Sequence, residues 1–181
     1  MIRYIAILRG INVGGHKKIL MADLKQLFVE LKFENPVTYI QSGNVVFGAE
    51  NGLKPSEIIT RIEMAIKESY GFEVPVILRD QAEMNIIFKS NPYLKSDESN
   101  LNQLYLCFLD KNPDQEGIAK LAAFDFQKDV YQIDGKELFI CYEDMVRTSK
   151  LSHTIIESKL KVKATVRNWK TTKKIHELIN D

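Results

Sequence analysis

The order of its sequence patterns predicts an α+β fold for this chain: two ferredoxin-like halves of the β-α-β-β-α-β type packed together, with an added C-terminal helix. Three observations carry that expectation. Apolar residues switch repeatedly between a period of two and a period near 3.6, so strands and helices alternate. Two strong turn signals, Ser42-Gly43-Asn44 and Asp134-Gly135, each sit between strand-like runs. A polar loop, Ser90 to Asn102, separates two stretches that repeat the same element order.

The first strand covers Arg3 to Leu8 and ends at a glycine-rich segment, Arg9 to Lys18. Leu24, Leu27, Phe28 and Leu31 then recur at helical spacing, with Asp23 in the first turn where a negative charge suits the helix dipole. Val37–Gln41 and Val45–Ala49 read as a hairpin. Pro55 opens a second helix whose apolar face is Ile58, Ile59, Ile62, Ala65, Ile66 and Tyr70, and Gly71 is its natural stop. Val74, Val76 and Leu78 alternate as a fourth strand, and Pro75 places it at a sheet edge because proline cannot donate to a ladder.

Gln81–Lys89 is a connecting helix, so the expected division is 1–80, a linking region 81–102, and a second half 103–181. There Leu104–Leu109 is a strand, Pro113–Phe124 a helix, and Val130–Ile133 with Glu137–Tyr142 a hairpin. Leu151–Leu160 is helical, Val162–Val166 a short strand and Trp169–Ile179 a closing helix. The halves share element order, with no residue-level repeat visible in the sequence.

In composition the chain is ordinary for a globular protein: 181 residues, 45% hydrophobic and 27% charged. The N-terminal apolar run is too short for a signal peptide, and no stretch approaches the length of a membrane span. Cys107 and Cys141 lie in strand-like runs and are expected as free buried thiols, which points to the cytoplasm. His16, His153 and His176 are scattered without ligand spacing, so neither a metal nor a cofactor is expected. A net charge of +1 conceals a basic segment: from Val146 to Lys174 nine basic residues stand against Glu157 alone, a local +8 that leaves −7 elsewhere. Segregated positive charge suggests a phosphorylated or polyanionic partner.

Three short motifs carry the candidate site. In Arg9–Lys18, three glycines permit positive φ and Arg9, His16, Lys17 and Lys18 supply positive charge, so the loop is either an anion cradle between a strand and a helix N-terminus or only a strained turn. His16 stands where a P-loop needs lysine, so this is not a magnesium-nucleotide loop. Gln41-Ser42-Gly43-Asn44 offers amide and hydroxyl groups at a hairpin tip, and Arg167-Asn168-Trp169 places a guanidinium before a capping Asn and the lone Trp. Trp169 is either a core anchor or a stacking platform. The residues expected to bind a ligand are Arg9, Asn12, Gly14, Gly15, Lys17, Gln41, Ser42, Asn44, Arg147, Lys150, Arg167, Asn168 and Trp169; no catalytic residue can be assigned.

Arg9-Gly10-Ile11-Asn12-Val13-Gly14-Gly15 with Met21-Ala22-Asp23-Leu24, Tyr39 through Phe47, Arg147 through Leu151, and Thr165 through Thr171 together resemble the signatures of the bacterial domain-of-unknown-function family 1697. The resemblance spans nearly the whole chain. It implies an α+β protein with two ferredoxin-like halves, and it implies no activity.

These readings combine into an uncharacterised cytosolic anion-binding module, with nucleic acid or a nucleotide as partner, no membrane, and a monomer as the expected state. Exposed sheet faces would add to such a surface. The alternatives are an enzyme that holds an anionic substrate with Arg9, Lys150 and Arg167 in a cleft, or a structural or interaction protein whose signatures fix turns. The glycine loop and the Gln41–Asn44 tip are expected side by side, because antiparallel pairing sets the end of strand 1 next to the start of strand 3. Arg167 or Lys150 is expected at the same place.

Overall fold

A computed structural model describes residues 1–143 and 149–181; Arg147, one of the expected ligand residues, lies outside them. The elements run β1 (Ile2–Leu8), α1 (Met21–Glu30), β2 (Glu34–Tyr39), β3 (Asn44–Ala49), α2 (Pro55–Tyr70), β4 (Val76–Asp80), α3 (Gln81–Lys89), β5 (Leu104–Leu109), α4 (Gln115–Ala122), β6 (Val130–Asp134), β7 (Glu137–Cys141), α5 (His153–Leu160), β8 (Ala164–Asn168) and α6 (Trp169–Asn180). The result is a mixed α+β structure with two four-stranded sheets. Two compact units divide it: Met1–Ile86 with Ile175–Asp181, and Ile87–Lys174.

In the first unit the strand order is β2-β3-β1-β4, with every neighbouring pair antiparallel. Tyr4, Ala6, Leu8, Val45, Phe47, Val76 and Leu78 of the sheet pack with Leu24, Phe28, Ile58, Ile62 and Ile66 of α1 and α2. Phe28, Phe33 and Phe47 form its aromatic centre, with ring centroids 4.6–5.7 Å apart. Each such buried side chain contributes about 1.5–3 kcal/mol relative to exposure. The alternate residues Ile5, Ile7, Val46 and Ile77 are buried too, so β1 is inaccessible on both faces.

The second unit has the order β6-β7-β5-β8, again antiparallel throughout. Cys107, Leu109, Leu138 and Ile140 pack with Leu121, Ile156 and Leu160, while Leu106, Phe108 and Phe139 on the alternate positions are equally buried. Central strands in both units therefore read as continuous apolar runs. This closes the central strands to a sheet-based nucleic-acid reader, while the edge strands β2 and β6 keep exposed positions.

Several element boundaries shift from the sequence reading for local reasons. β2 stops at Tyr39 because a four-residue turn, Ile40 to Gly43, begins with Ile40 at φ 50°. α5 starts at His153 because Ser152 caps it, its Oγ accepting from the Ile155 N–H at 3.4 Å. β8 begins two residues late because Lys161 takes the left-handed conformation at the end of α5.

The two units repeat one another at the level of individual bonds, which the sequence does not reveal. The Leu8 N–H donates to the Gly43 carbonyl, and the Leu109 N–H donates to that of Lys136. Arg9 N–H reaches the Pro75 carbonyl just as Asp110 N–H reaches that of Lys163. A carboxylate caps the first N–H of the last strand in each unit: Glu63 at Val76 and Glu157 at Ala164, at 2.9 and 2.8 Å. Near the end of that strand sits a buried arginine, Arg79 or Arg167, donating to the carbonyl of the residue before it.

Candidate functional site

Where β1 ends, the chain must leave the sheet and start α1 within a dozen residues, and it does so through a miniature hairpin. Val13 and His16 form an isolated antiparallel bridge around Gly14 and Gly15, at φ 59° and 79°. Two consecutive positive φ values make this a tight turn of the kind that glycine tolerates and side chains resist. A Cβ on Gly15 would have nothing within 4 Å, so the tip stands in open space.

Asn12 holds the base of this hairpin. Its Oδ1 accepts from the Ile19 N–H, and its Nδ2 donates to the Ile19 and Gln41 carbonyls, each at 2.9 Å. Asn12 itself sits at φ 56°, a conformation that asparagine accepts better than most residues. Its amide acts as a backbone surrogate in a place where no strand can run.

The Gln41–Asn44 tip meets the loop from the other side. A Cβ on Gly43 would lie 2.6 Å from Ile11 Cδ1 and 2.9 Å from Leu8 Cβ, so only glycine fits between the tip and the loop. Asn44 is fully buried, and its Nδ2 donates to the Tyr39 carbonyl and to Ser42 Oγ at 3.0 and 3.1 Å. The expected adjacency of the two motifs is therefore present, and of their polar side chains Asn44 is the buried one. Among the expected ligand residues of this unit, Gly14, Gly15 and Gln41 are exposed, while Arg9, Asn12, Lys17 and Ser42 are half-buried.

Lys17 reaches away from the tip, its Nζ donating to the Glu73 carbonyl at 2.6 Å. Lys18 and His16 remain exposed beside Gly14 and Gly15. Val13, Leu20 and Ile40, the chain neighbours of the groups that Asn12 joins, are exposed at 66%, 70% and 45%.

The second unit treats its signature residues differently. Arg167 is only 8% exposed, with its Nη1 on Thr165 Oγ1 and the Val166 carbonyl, and burial pushes its guanidinium down to about 10. It remains a cation at neutral pH. Asn168 caps α6, its Oδ1 accepting from the Thr171 N–H at 2.8 Å. Trp169 is fully buried and stacks on Phe88 at 5.7 Å with the rings 9° apart, so its ring faces serve the core. Lys150 is exposed. Within the basic segment, Lys173 pairs with Glu98 at 2.8 Å and Lys159 lies over the Phe124 ring.

Sequence reasoning missed Arg79, Glu63 and Glu157. Their roles depend on strand ends that only sheet register brings to them, and no local pattern marks such residues. Among the described residues no group of three or more His, Cys, Asp or Glu side chains could hold a metal, and no helix is long and apolar enough to cross a membrane.

The chain is similar over 98% of its length, and 98% of the other's, to the solved structure of the conserved bacterial protein SP0830 from Streptococcus pneumoniae, with 26% identity and a TM-score of 0.76. No curated protein matches it. A family match covers residues 1–139, well over half of the chain, and on that evidence the protein belongs to the family described as protein of unknown function (DUF1697).

Proposed function

We propose that this protein is an anion-binding module whose ligands are the phosphate groups of nucleic acid or a nucleotide, taken at the Gly14–Gly15 tip. One observation carries the reading. The tip is exposed, its two glycine N–H groups have no partner among the described residues, and His16 and Lys18 flank it. Backbone donors beside cations suit a phosphate, and glycine lets it approach closely. Burial of the central strands on both faces turns nucleic-acid contact toward loops and edge strands and argues for backbone recognition over base readout. Each unit is read here as ferredoxin-like, supported by its strand order and its β-α-β-β-α-β sequence of elements. Two free cysteines, one of them fully buried, fit a reducing compartment, and we place the protein in the cytoplasm on that basis.

The test is the binding of mixed-sequence oligonucleotides as a function of salt. Affinity should fall steadily with added salt, because phosphate neutralisation releases counterions. Lys18→Glu should weaken binding without lowering the melting temperature. Absence of binding at low salt, or binding indifferent to salt, overturns the reading.

A second reading has its own observation. Asn12 and Gly43 join the tip to the loop, and Asn44 braces the tip from within. A structural or interaction protein would need that locking and no phosphate. Unchanged oligonucleotide binding in Lys18→Glu would favour it.

A further inference from the structure

Two residues of the first unit break local rules with no gain to the fold. Ile40 sits at φ 50°, the one β-branched residue at positive φ among the described residues. A branched Cβ resists that left-handed conformation, which asparagine or glycine would accept. Leu20 holds the N-cap position of α1 and makes no capping bond, whereas Asp114 and Ser152 cap α4 and α5 through their side chains. Burial compensates neither residue, since Leu20 and Ile40 are both exposed, and so is Val13. Apolar side chains kept in water where polar ones would suit the backbone better mark a contact outside the fold.

Asn12 gathers these three residues. Val13 follows it in the chain, Leu20 follows Ile19, and Ile40 precedes Gln41; the Asn12 amide holds the backbone of Ile19 and Gln41 at 2.9 Å. The Gly14–Gly15 tip begins at the next residue after Val13, and His16 and Lys18 stand exposed beside it. Charge around this apolar group has one prevailing sign. From Asn12 to Leu24, Lys17 and Lys18 stand against Asp23 alone, and Tyr39 to Val45 carries no charge. An anion that reaches the tip therefore has apolar side chains within a few residues of it and little negative charge to oppose it.

We infer that the ligand of this face is a single-stranded nucleic acid, with its phosphates at the Gly14–Gly15 tip and its unstacked bases against Val13, Leu20 and Ile40. The inference rests on the phosphate reading of the tip and adds the form of the strand to it. In a duplex the base faces cover one another and only their edges reach a protein, whereas a single strand leaves the faces free. Apolar side chains meet a base face without hydrogen bonds, so the contact tolerates any sequence and reads no base edge. A duplex backbone would engage the tip and leave the three apolar side chains in water. A single strand uses the cations and the apolar group together.

Fluorescence anisotropy with the full chain tests this at one low salt concentration, using three labelled ligands of equal length: a mixed-sequence single strand, its duplex, and an abasic strand with the same phosphates. The single strand should bind about tenfold more tightly than either of the others, the order that one base on a side-chain platform supplies. Leu20→Ser and Ile40→Asn each install a residue that the local backbone favours, so neither should lower the melting temperature. Each should weaken single-strand binding severalfold, and the double variant should hold the single strand no better than the abasic one. Absence of binding to all three ligands overturns the phosphate reading and this inference with it. Duplex or abasic strand bound as tightly as the single strand leaves phosphate recognition standing and overturns the inference alone, as do variants that bind like the wild type. A lowered melting temperature in both variants would show that Leu20 and Ile40 serve the fold, which also overturns it. Capture of an apolar peptide that both variants abolish, with the three nucleic acids bound equally, assigns the face to a protein partner instead.

Discussion

Asn12 Nδ2 donates to the Gln41 carbonyl at 2.9 Å across 29 residues of sequence, and this bond makes the glycine loop and the β2–β3 hairpin tip one structural unit. The same side chain satisfies both the N–H and the carbonyl of Ile19 just before α1. Replacing it with aspartate keeps the acceptor and removes both donated bonds, leaving two carbonyls facing a carboxylate. Asn12→Asp should cost about 2–3 kcal/mol, since lost bonds and unsatisfied partners add. Urea denaturation at neutral pH measures it, and a midpoint within error of the wild type would show that the amide is dispensable.

Gly43 and Gly15 share φ 79° and differ in surroundings, which separates steric from conformational cost. Gly43→Ala puts a methyl 2.6 Å from Ile11 Cδ1 and should lose about 2–4 kcal/mol, from strain and overpacking together. Gly15→Ala meets no atom and should lose only about 1 kcal/mol, the left-handed penalty alone. Equal losses in the two variants would contradict the close approach of Ile11 to the tip.

Trp169 fills the second unit against Phe88 and Phe139, at 5.7 and 6.4 Å between centroids. Trp169→Ala should cost about 3–5 kcal/mol, a large part of a domain's net stability. Trp169→Phe should recover much of it. Oligonucleotide binding by Trp169→Phe should match the wild type, because the ring faces are internal; a selective loss of binding at full stability would restore the stacking-platform role.

Alkaline pH should destabilise the fold through Cys107 and Tyr142. Burial pushes both groups upward, and the Tyr142 hydroxyl also donates to the Leu151 carbonyl at 2.9 Å. The folded state holds protons that the unfolded chain releases from about pH 8.5 for a thiol and about pH 10 for a phenol. The contribution is complete below those values and is lost as pH rises through them. Chemical denaturation at a series of pH values should show stability falling from about pH 9 upward, with a shallower fall in Cys107→Ala and in Tyr142→Phe. Tyr142→Phe should also lose about 1 kcal/mol at neutral pH, the worth of one hydrogen bond.

Much of the architecture is legible in the sequence because it rests on local rules. Period-two and period-3.6 spacing located the strands and helices, Pro55 and Gly71 marked the start and stop of α2, and Pro75 marked an edge. Asp134-Gly135 announced the β6–β7 turn. The glycine loop was legible in composition, where glycines and cations mark it, and antiparallel pairing brought it beside the Gln41–Asn44 tip. What those residues do there was not legible. Asn44 read as a ligand group and Trp169 as either a core anchor or a stacking platform, and both are fully buried, because burial is a property of neighbours far away in sequence. The doubled bond pattern of the two units was hidden for the same reason. Gly43 and Lys136 share no chemistry, yet each offers a carbonyl to the last residue of its unit's first strand, and a backbone bond does not record which side chain it belongs to. Sequence determined the elements and their order through short-range periodicity and turn chemistry; tertiary structure decided which polar groups face inward and which glycine is indispensable, since those depend on contacts between segments that sheet register alone brings together.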